Sequence, residues 1–409
     1  MKTKNFYGWL AMAVMLVGTG CSTDEVVNDF SPKNAIQFGT YVGRDAESRA
    51  TVINDTKLGT DGFGVFAYYT AGNEFSESAT PNFMYNQLVK KNDEGKWAYS
   101  PLKYWPNNEG DKVSFFAYAP YTAQPATGDG DTDYNIGKHY LNTSQSLPSL
   151  TFYVHPTVKD QVDLLWATPV LNQTKQTVAD DVKFNFHHAL ARIGFSVQAM
   201  IDIVNEDNQN GTDDDATDAS GSFENQNGTQ VTTVSVQSIK LSGNFYNVGT
   251  LSYASDNNDN YTASFQPNSF TAPAGGITYT LSGTGESGNF ENVASNVTIA
   301  EQKLNKDDSY IMIIPRGFTS TNNQKLNLEI VYKVTTTDPN LDGGKSEITN
   351  TITKEFFIQS GFEAGKAYNF SLHLGLTSVK LSATVGAWVP AGEEETDYVV
   401  NVPINTTNP

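Results

Sequence analysis

Apolar and polar residues alternate along the C-terminal part of the chain. In three stretches every second residue is apolar: Leu326, Leu328, Ile330, Tyr332 and Val334 in the first, Tyr368, Phe370, Leu372, Leu374 and Leu376 in the second, and Val379, Leu381, Ala383, Val385 and Ala387 in the third. Successive side chains of a strand point to opposite faces, whereas a helix would scatter these residues around its circumference. The pattern therefore predicts three strands, each with one buried face.

The N-terminal half repeats this pattern in shorter runs separated by turn signals. Alternation in AIQFGTYV predicts a strand with one shared face, formed by Ile36, Phe38, Thr40 and Val42. A polar stretch, GRDAESRATVINDT, follows, and GFGVFAYYTAG and DKVSFFAYAPY predict further strands. The Asn-Asp-Glu-Gly sequence inside FMYNQLVKKNDEGKWAYSP indicates a hairpin. Many short strands at regular spacing predict an all-β protein built from β-sandwiches. FHHALARI is the best candidate for a short helix, with a strand as the alternative.

Composition limits the class of protein and of partner. The 409 residues are 38% hydrophobic, 12% aromatic and only 17% charged, so the chain is globular and long enough for two domains. A net charge of −19 argues against nucleic acid as a partner, because that interaction requires clustered Lys and Arg. A single cysteine excludes an internal disulfide framework.

The first twenty residues have the pattern of a targeting segment. Lys2 and Lys4 precede nine apolar residues, 9–17, and small residues then lead to Cys21. Nine residues are too few for a membrane-spanning helix, which needs about 20. Residues 1–20 are therefore predicted to be a cleavable signal peptide.

The lone cysteine is the candidate attachment point for lipid. Small residues immediately before a cysteine resemble a bacterial lipoprotein signal, which implies acylation of Cys21 and outer-membrane lipid as a partner. Gly18 stands where that signal usually has Leu or Val, and an ordinary signal peptide with an incidental cysteine is the alternative. Two or more acyl chains would anchor a soluble domain stably. The STDE sequence that follows resembles acidic signals for the outer face of the outer membrane.

Two acidic segments are candidate calcium sites, and both fit poorly. Residues 205–230 carry seven acidic residues and no Lys or Arg, which predicts a solvated insertion. The spacing of Asp129, Asp131 and Asp133 fits the start of an EF-hand loop, but Tyr134 stands at the glycine position and Tyr140 at the glutamate position. No metal site and no cofactor are predicted.

Other candidate residues favour structural roles over chemistry. His187 and His188 would point to opposite faces of a strand and could not chelate one ion together, and His373 lies on a polar face. No nucleophile-elbow, zincin, P-loop or dinucleotide motif is present, so no catalytic residue and no enzymatic activity are predicted. Four aromatic residues that could stack on sugars alternate well enough for ordinary strand packing: Trp97, Tyr99, Tyr104 and Trp105.

Several motifs recur in order along almost the whole chain. They are SRA before GFGVFAYY, YSPLKYWP with VSFFAYAPY, DLLWA with FNFHHALARIGFSV, YIMIIPRG, and GKAYNFSLHLGL with the final Trp388. Together they resemble the fimbrillin family, the pilus-subunit lipoproteins of Gram-negative anaerobic bacteria. The resemblance implies two tandem transthyretin-like β-sandwich domains, which we place at residues 50–180 and 181–409, after a tether and excisable first strand at residues 21–49.

The resemblance also implies a route of assembly. A trypsin-like protease would cut after Arg49, or else after Arg44, and release Cys21 together with the strand that holds Ile36, Phe38, Thr40 and Val42. The open groove would then accept a strand from another copy or a related pilus subunit. The candidate donor, residues 396–409, alternates at Tyr398, Val400, Val402 and Ile404, and a plain terminal strand of the second domain is nearly as good an interpretation.

Two functions of different class follow from these expectations. The first is a structural pilus subunit at the cell surface that supports adhesion. The second is a permanently lipid-anchored surface protein, such as a pilus tip or anchor, that binds glycans or host ligands and does not polymerise.

Overall fold

The computed structural model describes most of the chain. The residues it describes are 34–42, 53–123, 135–140, 147–178, 180–199, 232–256, 260–266, 269–283, 290, 297–298, 300–306, 309–316, 325–358, 360–375, 379–388, 400–401 and 404–406. Almost all regular structure within these ranges is β-strand, as the alternating pattern predicts. The predicted insertion at 205–230 lies outside them.

Twenty-three strands form the described framework. In chain order they are β1 (Phe38–Tyr41), β2 (Phe63–Ala71), β3 (Met84–Lys91), β4 (Trp97–Ala98), β5 (Lys112–Ala119), β6 (Asn135–Tyr140), β7 (Ser149–Tyr153), β8 (Leu165–Ala167), β9 (Val170–Gln173), β10 (Val182–His188), β11 (Ala191–Ala199), β12 (Thr232–Gly243), β13 (Val248–Ser255), β14 (Tyr261–Phe265), β15 (Ile277–Ser282), β16 (Gln302–Lys303), β17 (Ile311–Ile313), β18 (Leu326–Thr337), β19 (Lys345–Ile358), β20 (Lys366–Leu374), β21 (Val379–Ala387), β22 (Val400–Asn401) and β23 (Ile404–Thr406).

All strands of the first sheet come from the N-terminal half of the chain. Its order is β1-β10-β8-β5-β2-β3-β4, with β9 also paired to β5. β1 runs parallel to β10, and the other described pairs in this sheet are antiparallel. The predicted hairpin is confirmed, since Lys91 of β3 pairs with Trp97 of β4 and Gly95 in the turn has a φ of 75°. Glycine adopts this left-handed conformation without a steric penalty.

Both faces of the first sheet are buried. On one face, side chains of β2 and β5 enter a core that they share with residues of β1 and β10. The side chains from β2 and β5 are Phe63, Val65, Ala67, Val113, Phe115, Ala117 and Ala119. The opposite face packs against a second sheet, of order β14-β13-β7-β6. The Tyr253 hydroxyl of β13 lies 2.8 Å from the carbonyl oxygen of Ala117 and 2.9 Å from that of Ala167, so it can donate to either. The two sheets thus form a β-sandwich.

Two further sheets, built from residue 191 onwards, form a second sandwich. The third has the order β16-β11-β20-β21-β22, with β17 also paired to β11, and the fourth has the order β15-β12-β18-β19-β23. The predicted inward face of β18 is confirmed, because its alternate residues are buried: Leu326, Leu328, Ile330, Tyr332 and Val334. Phe356 of the fourth sheet meets Phe370 of the third edge to face, with ring centroids 5.3 Å apart.

The chain passes from the first sheet to the third between His188 and Ala191, where β10 ends and β11 begins. The division of the chain into domains at residue 180 stays a prediction. The second sheet combines strands from both sides of that boundary. In it, β13, which begins at Val248, pairs with β7 on one side and with β14 on the other.

The helix prediction for FHHALARI is wrong, because this segment contains the end of β10 and the start of β11. Hydrogen bonding of β10 and β11 to neighbouring strands outweighs the weak local preference of this segment for a helix. An α-helix, α1 (Asp55–Asp61), begins at the end of the polar stretch GRDAESRATVINDT. The Asn54 side chain caps it by accepting a hydrogen bond of 2.8 Å from the Lys57 backbone N–H. A single turn of 3₁₀ helix covers Val158–Asp160.

Candidate functional site

The strand predicted to be excised is an integral part of the first sheet's core. We call residues 34–42 the N-terminal strand segment. Ile36, Phe38 and Val42 are buried, Thr40 is half-buried, and the intervening Tyr41 is 59% exposed. The Thr40 hydroxyl donates to Asp55 of α1 at 3.5 Å. The predicted set of inward residues is therefore brought together on one face.

Phe38 is surrounded by four aromatic rings. Its ring centroid lies 5.8 Å from that of Phe184 in a stacked arrangement. Edge contacts join it to Tyr99 at 5.3 Å, Phe115 at 5.9 Å and Phe63 at 6.3 Å. Aromatic pairs at these separations add to the stability gained from burial alone.

The backbone of the segment lies between strand β10 and residues 103–105. On one side, β1 pairs in parallel with β10, with Phe38 opposite Val182, and the Val182 N–H donates to the Gln37 carbonyl at 2.8 Å. On the other side, the Ile36 N–H donates to the Lys103 carbonyl at 2.9 Å, and the Trp105 N–H donates to the Asn34 carbonyl at 3.0 Å. Without the segment, backbone groups of β10 and of residues 103–105 would lose these hydrogen-bond partners.

Tyr99 fastens the segment from the second side. Its hydroxyl lies 2.9 Å from the Ile36 carbonyl oxygen and 3.2 Å from that of Lys103. Burial raises the pKa of Tyr99 to about 12, so the phenol remains a donor at neutral pH. Trp97 packs on Phe63 at 5.0 Å, and Trp105 is buried. These rings pack in the core, as predicted in preference to sugar stacking.

Burial of the segment represents a large free energy. Each of Ile36, Phe38 and Val42 gains about 1.5–3 kcal/mol on leaving water, so together they contribute about 5–9 kcal/mol before the cost of ordering the chain. Because this contribution comes from one short terminal strand, its loss would leave an apolar slot in the sheet.

The arginines of the chain are few and unevenly placed. The sequence contains four: Arg44, Arg49, Arg192 and Arg316. Arg44 and Arg49 fall between the N-terminal strand segment and α1, outside the described residues. Arg192 stacks over the Tyr310 ring at 4.4 Å and Arg316 over the Tyr246 ring at 4.1 Å, and both are buried. Burial lowers the pKa of Arg316.

The predicted donor segment pairs with the chain's own sheets. Val400 in β22 lies opposite Val385 of β21, and Ile404 in β23 lies opposite Ile358 of β19. Tyr398 and Val402 lie outside the described residues, as does Cys21. β22 therefore extends the third sheet and β23 extends the fourth.

The comparisons with known proteins decide the family. The fimbrillin-like family model matches residues 48–388, which is most of the chain. This chain belongs to the fimbrillin-like family. It is 28% identical to fimbrium subunit Fim1C of Phocaeicola vulgatus over 96% of this chain and 98% of that protein. A solved fimbrial protein from Bacteroides vulgatus has the same fold, with a TM-score of 0.60 and 24% identity over 87% of this chain and 99% of that one.

The family identifies the general role of this fimbrillin-like chain. It is a fimbrial subunit or adhesion-like protein of the cell surface, its partners are other fimbrial subunits, and it is not an enzyme. The described residues contain no cluster of three His, Cys, Asp or Glu side chains able to hold a metal ion. None of the helices in the described ranges has the length and apolar character that a membrane crossing requires.

The two adjacent histidines of this fimbrillin-like chain have separate surroundings. His187 packs on Trp166 at 4.8 Å, and burial lowers its pKa. His188 stacks on Trp388 at 4.0 Å and an angle of 3°, and its Nδ1 lies 2.8 Å from Asp163 Oδ2. Sequence reasoning missed Asp163. The only available signal was a carboxylate inside the apolar motif DLLWA.

Proposed function

We propose that this chain is a polymerising fimbrial subunit that is exported as a lipoprotein acylated on Cys21. A trypsin-like protease cuts after Arg49, with Arg44 as the second site, and the N-terminal strand segment leaves with the tether. The position of that segment carries the proposal. It fills an apolar slot between β10 and residues 103–105, and residues 43–52, which connect it to Ile53 and α1, contain Arg44 and Arg49.

Arginine placement supports cleavage at this point. Lysines outnumber arginines by 22 to four, so an enzyme that cuts only after arginine has few candidate bonds in this chain. Arg192 lies within β11 and Arg316 makes an isolated bridge with Phe362, so both are protected by burial and backbone pairing. Cleavage of folded protein is thereby directed to Arg44 and Arg49.

An incoming strand would replace what the segment provided. It would pair with β10 and place alternate side chains in the positions of Ile36, Phe38, Thr40 and Val42, which is the general mode of β-strand addition. Residues 396–409 of another subunit, with Tyr398, Val400, Val402 and Ile404 at alternate positions, match this spacing. Filling the slot would also protect sheet edges that are otherwise prone to aggregate.

A protease experiment tests the proposal. The purified full chain is treated with an arginine-specific protease, and the products are examined by N-terminal sequencing and by electrophoresis without boiling. We expect a new N-terminus at Ala50 and a ladder of SDS-resistant polymers. Arg49→Lys should move the new N-terminus to Asp45 and Arg44→Lys should leave it at Ala50, whereas the double variant should stay uncut and form no polymers. Polymers that retain acylated Cys21 would contradict the processing step.

One observation favours the second candidate function, a lipid-anchored tip or anchor that does not polymerise. β22 and β23 pair with the chain's own β21 and β19, which is the expected place of a plain terminal strand. Deletion of residues 396–409 separates the two functions, with deletion of 407–409 as the control. Loss of polymers only in the longer deletion supports the donor role, and unchanged polymers favour the tip or anchor.

A further inference from the structure

Asp163 is a buried carboxylate with one oxygen unused. Its side chain is fully buried, just before β8. Oδ2 accepts a hydrogen bond of 3.2 Å from the Ile53 N–H and lies 2.8 Å from His188 Nδ1. Oδ1 is equally buried and has no hydrogen-bond partner among the residues that the structure describes.

Burial of a carboxylate oxygen without a hydrogen-bond partner costs free energy. A buried polar atom without a hydrogen bond loses its hydration and gains nothing in return, and the penalty is larger for a charged group. Buried charges are therefore normally paired, and an unpaired buried group calls for an explanation such as a missing ligand. The missing ligand for a carboxylate oxygen is a hydrogen-bond donor, preferably a cation.

The sequence places a potential cation only a few residues from a group that is bonded to Asp163. Ile53 is held in place, since its side chain is buried and its N–H is bonded to Asp163, and the next residue, Asn54, caps α1. Ala50 is three residues before Ile53, and three residues span at most about 10 Å. The backbone nitrogen of Ala50 is thus tethered within reach of Asp163, and it is neutral as long as the chain is intact.

We infer that Asp163 is the binding site for the α-ammonium group that cleavage creates on Ala50. Hydrolysis breaks the Arg49–Ala50 C–N bond, and water supplies a hydroxyl to the Arg49 carbonyl carbon and a proton to the Ala50 nitrogen. At neutral pH the new amine takes up a further proton, and the resulting ammonium pairs with Asp163 Oδ1. The cut end is then fixed beside β8 and β10, at the side of the vacated slot. This inference rests on the proposed cleavage after Arg49.

Amine reactivity of the new terminus is the test. The full chain is cut with an arginine-specific protease, labelled near neutral pH with an amine-acylating reagent, denatured and digested with a protease that cuts before aspartate. Mass spectrometry then follows the peptide 50–54, which contains no lysine. Acylation requires the neutral amine, and an ion pair favours the protonated form, so Ala50 should react at least about tenfold more slowly than in the same protein labelled after denaturation.

Two variants make the result specific. Asp163→Asn should restore fast labelling of Ala50, whereas Asp160→Asn, which changes a half-exposed neighbouring carboxylate, should not. Arg49→Gln leaves Asp163 intact and moves the cut to Arg44, so the new amine on Asp45 should react fast even if Asp163→Asn fails to fold.

The outcomes separate this inference from the proposed function. Fast labelling of Ala50 in the cut wild-type protein, or equal protection in folded Asp163→Asn, overturns the Asp163 site, even when polymers form normally. A chain that the protease does not cut after Arg49 overturns both proposals. Slow labelling that depends on Asp163 and on the position of the cut supports the inference.

Discussion

Removal of the Phe38 ring is the most direct test of how the N-terminal strand segment is held. Phe38 is 5% exposed and touches four aromatic rings, so Phe38→Ala opens a cavity in the middle of the slot. Substitutions of this kind cost about 3–5 kcal/mol, and a site enclosed by rigid rings relaxes little. We therefore expect the intact chain to lose about 4 kcal/mol of stability.

The same free energy predicts how firmly the cut protein retains the N-terminal strand segment. Once the chain is cut after Arg49, the segment is held only by its contacts, and about 4 kcal/mol corresponds to roughly 10³-fold weaker retention. Phe38→Ala should therefore release the cut segment and open the slot much faster than in wild type. The stability of finished polymers should not change, because in the proposed assembly they no longer contain Phe38.

Two measurements check this prediction. Chemical denaturation of the intact chain gives the change in unfolding free energy, and size-exclusion chromatography with mass spectrometry follows loss of the cut segment over time. Tyr41→Ala is the matched control, since it removes an exposed ring from the same strand. If Phe38→Ala and Tyr41→Ala changed stability and release equally, the slot would not depend on Phe38 and the reasoning would be wrong.

Three further predictions follow from other contacts. A Cβ on Gly64 would lie 2.3 Å from the Tyr118 ring, so Gly64→Ala should destabilise the first sheet by about 1–3 kcal/mol in thermal or denaturant unfolding. Because burial raises the pKa of Tyr99 to about 12 above an unfolded value of about 10, its contribution is complete below pH 10 and is lost as pH rises towards 12. Tyr99→Phe should flatten the loss of stability over that interval. Hydrogen bonds from serine hydroxyls lower the pKa of Glu301, so Ser371→Ala should raise it in an NMR titration. The corresponding stabilisation exists above about pH 4.5 and is lost as pH falls through the lowered pKa, so Ser371→Ala should weaken that acid dependence.

Each of these predictions has a control on a neighbouring position. An added Cβ on Gly72 meets no atom within 4 Å, so Gly72→Ala should be nearly neutral. Tyr41→Phe alters an exposed phenol, and Ser382→Ala alters an exposed hydroxyl opposite Ser371 on β21. Equal effects from a variant and its control would show that the named contact is not responsible.

The alternation of apolar and polar residues and the turn residues were enough to predict the features that depend only on local sequence. The inward faces of β18 and of the N-terminal strand segment could be inferred because a strand buries every second residue in a two-sheet protein. The hairpin at Gly95 could be inferred because its turn residues are specific. These features need no knowledge of which strands become neighbours.

The features that sequence reasoning missed depend on long-range partners. FHHALARI has a locally helical composition, and only pairing of β10 and β11 with distant strands makes it extended. Asp163 makes its contacts with Ile53 and His188, which come from different parts of the chain, so its neighbours cannot be inferred from the sequence around it. The pairing of β13 with β7 also could not be predicted, because the alternation of apolar residues shows that a segment is a strand but not which strand lies beside it.

The parallel pairing of β1 with β10 has a consequence for the order of folding. Phe38 and Val182 are far apart in sequence, so their contact closes a long loop and cannot form until β10 has emerged. Contacts of this separation form late and slowly. We therefore expect the slot to be among the last parts of the first sheet to be completed during folding, and a foreign strand to compete best in the interval before it closes. A tether that keeps the chain's own strand at high local concentration shortens that interval.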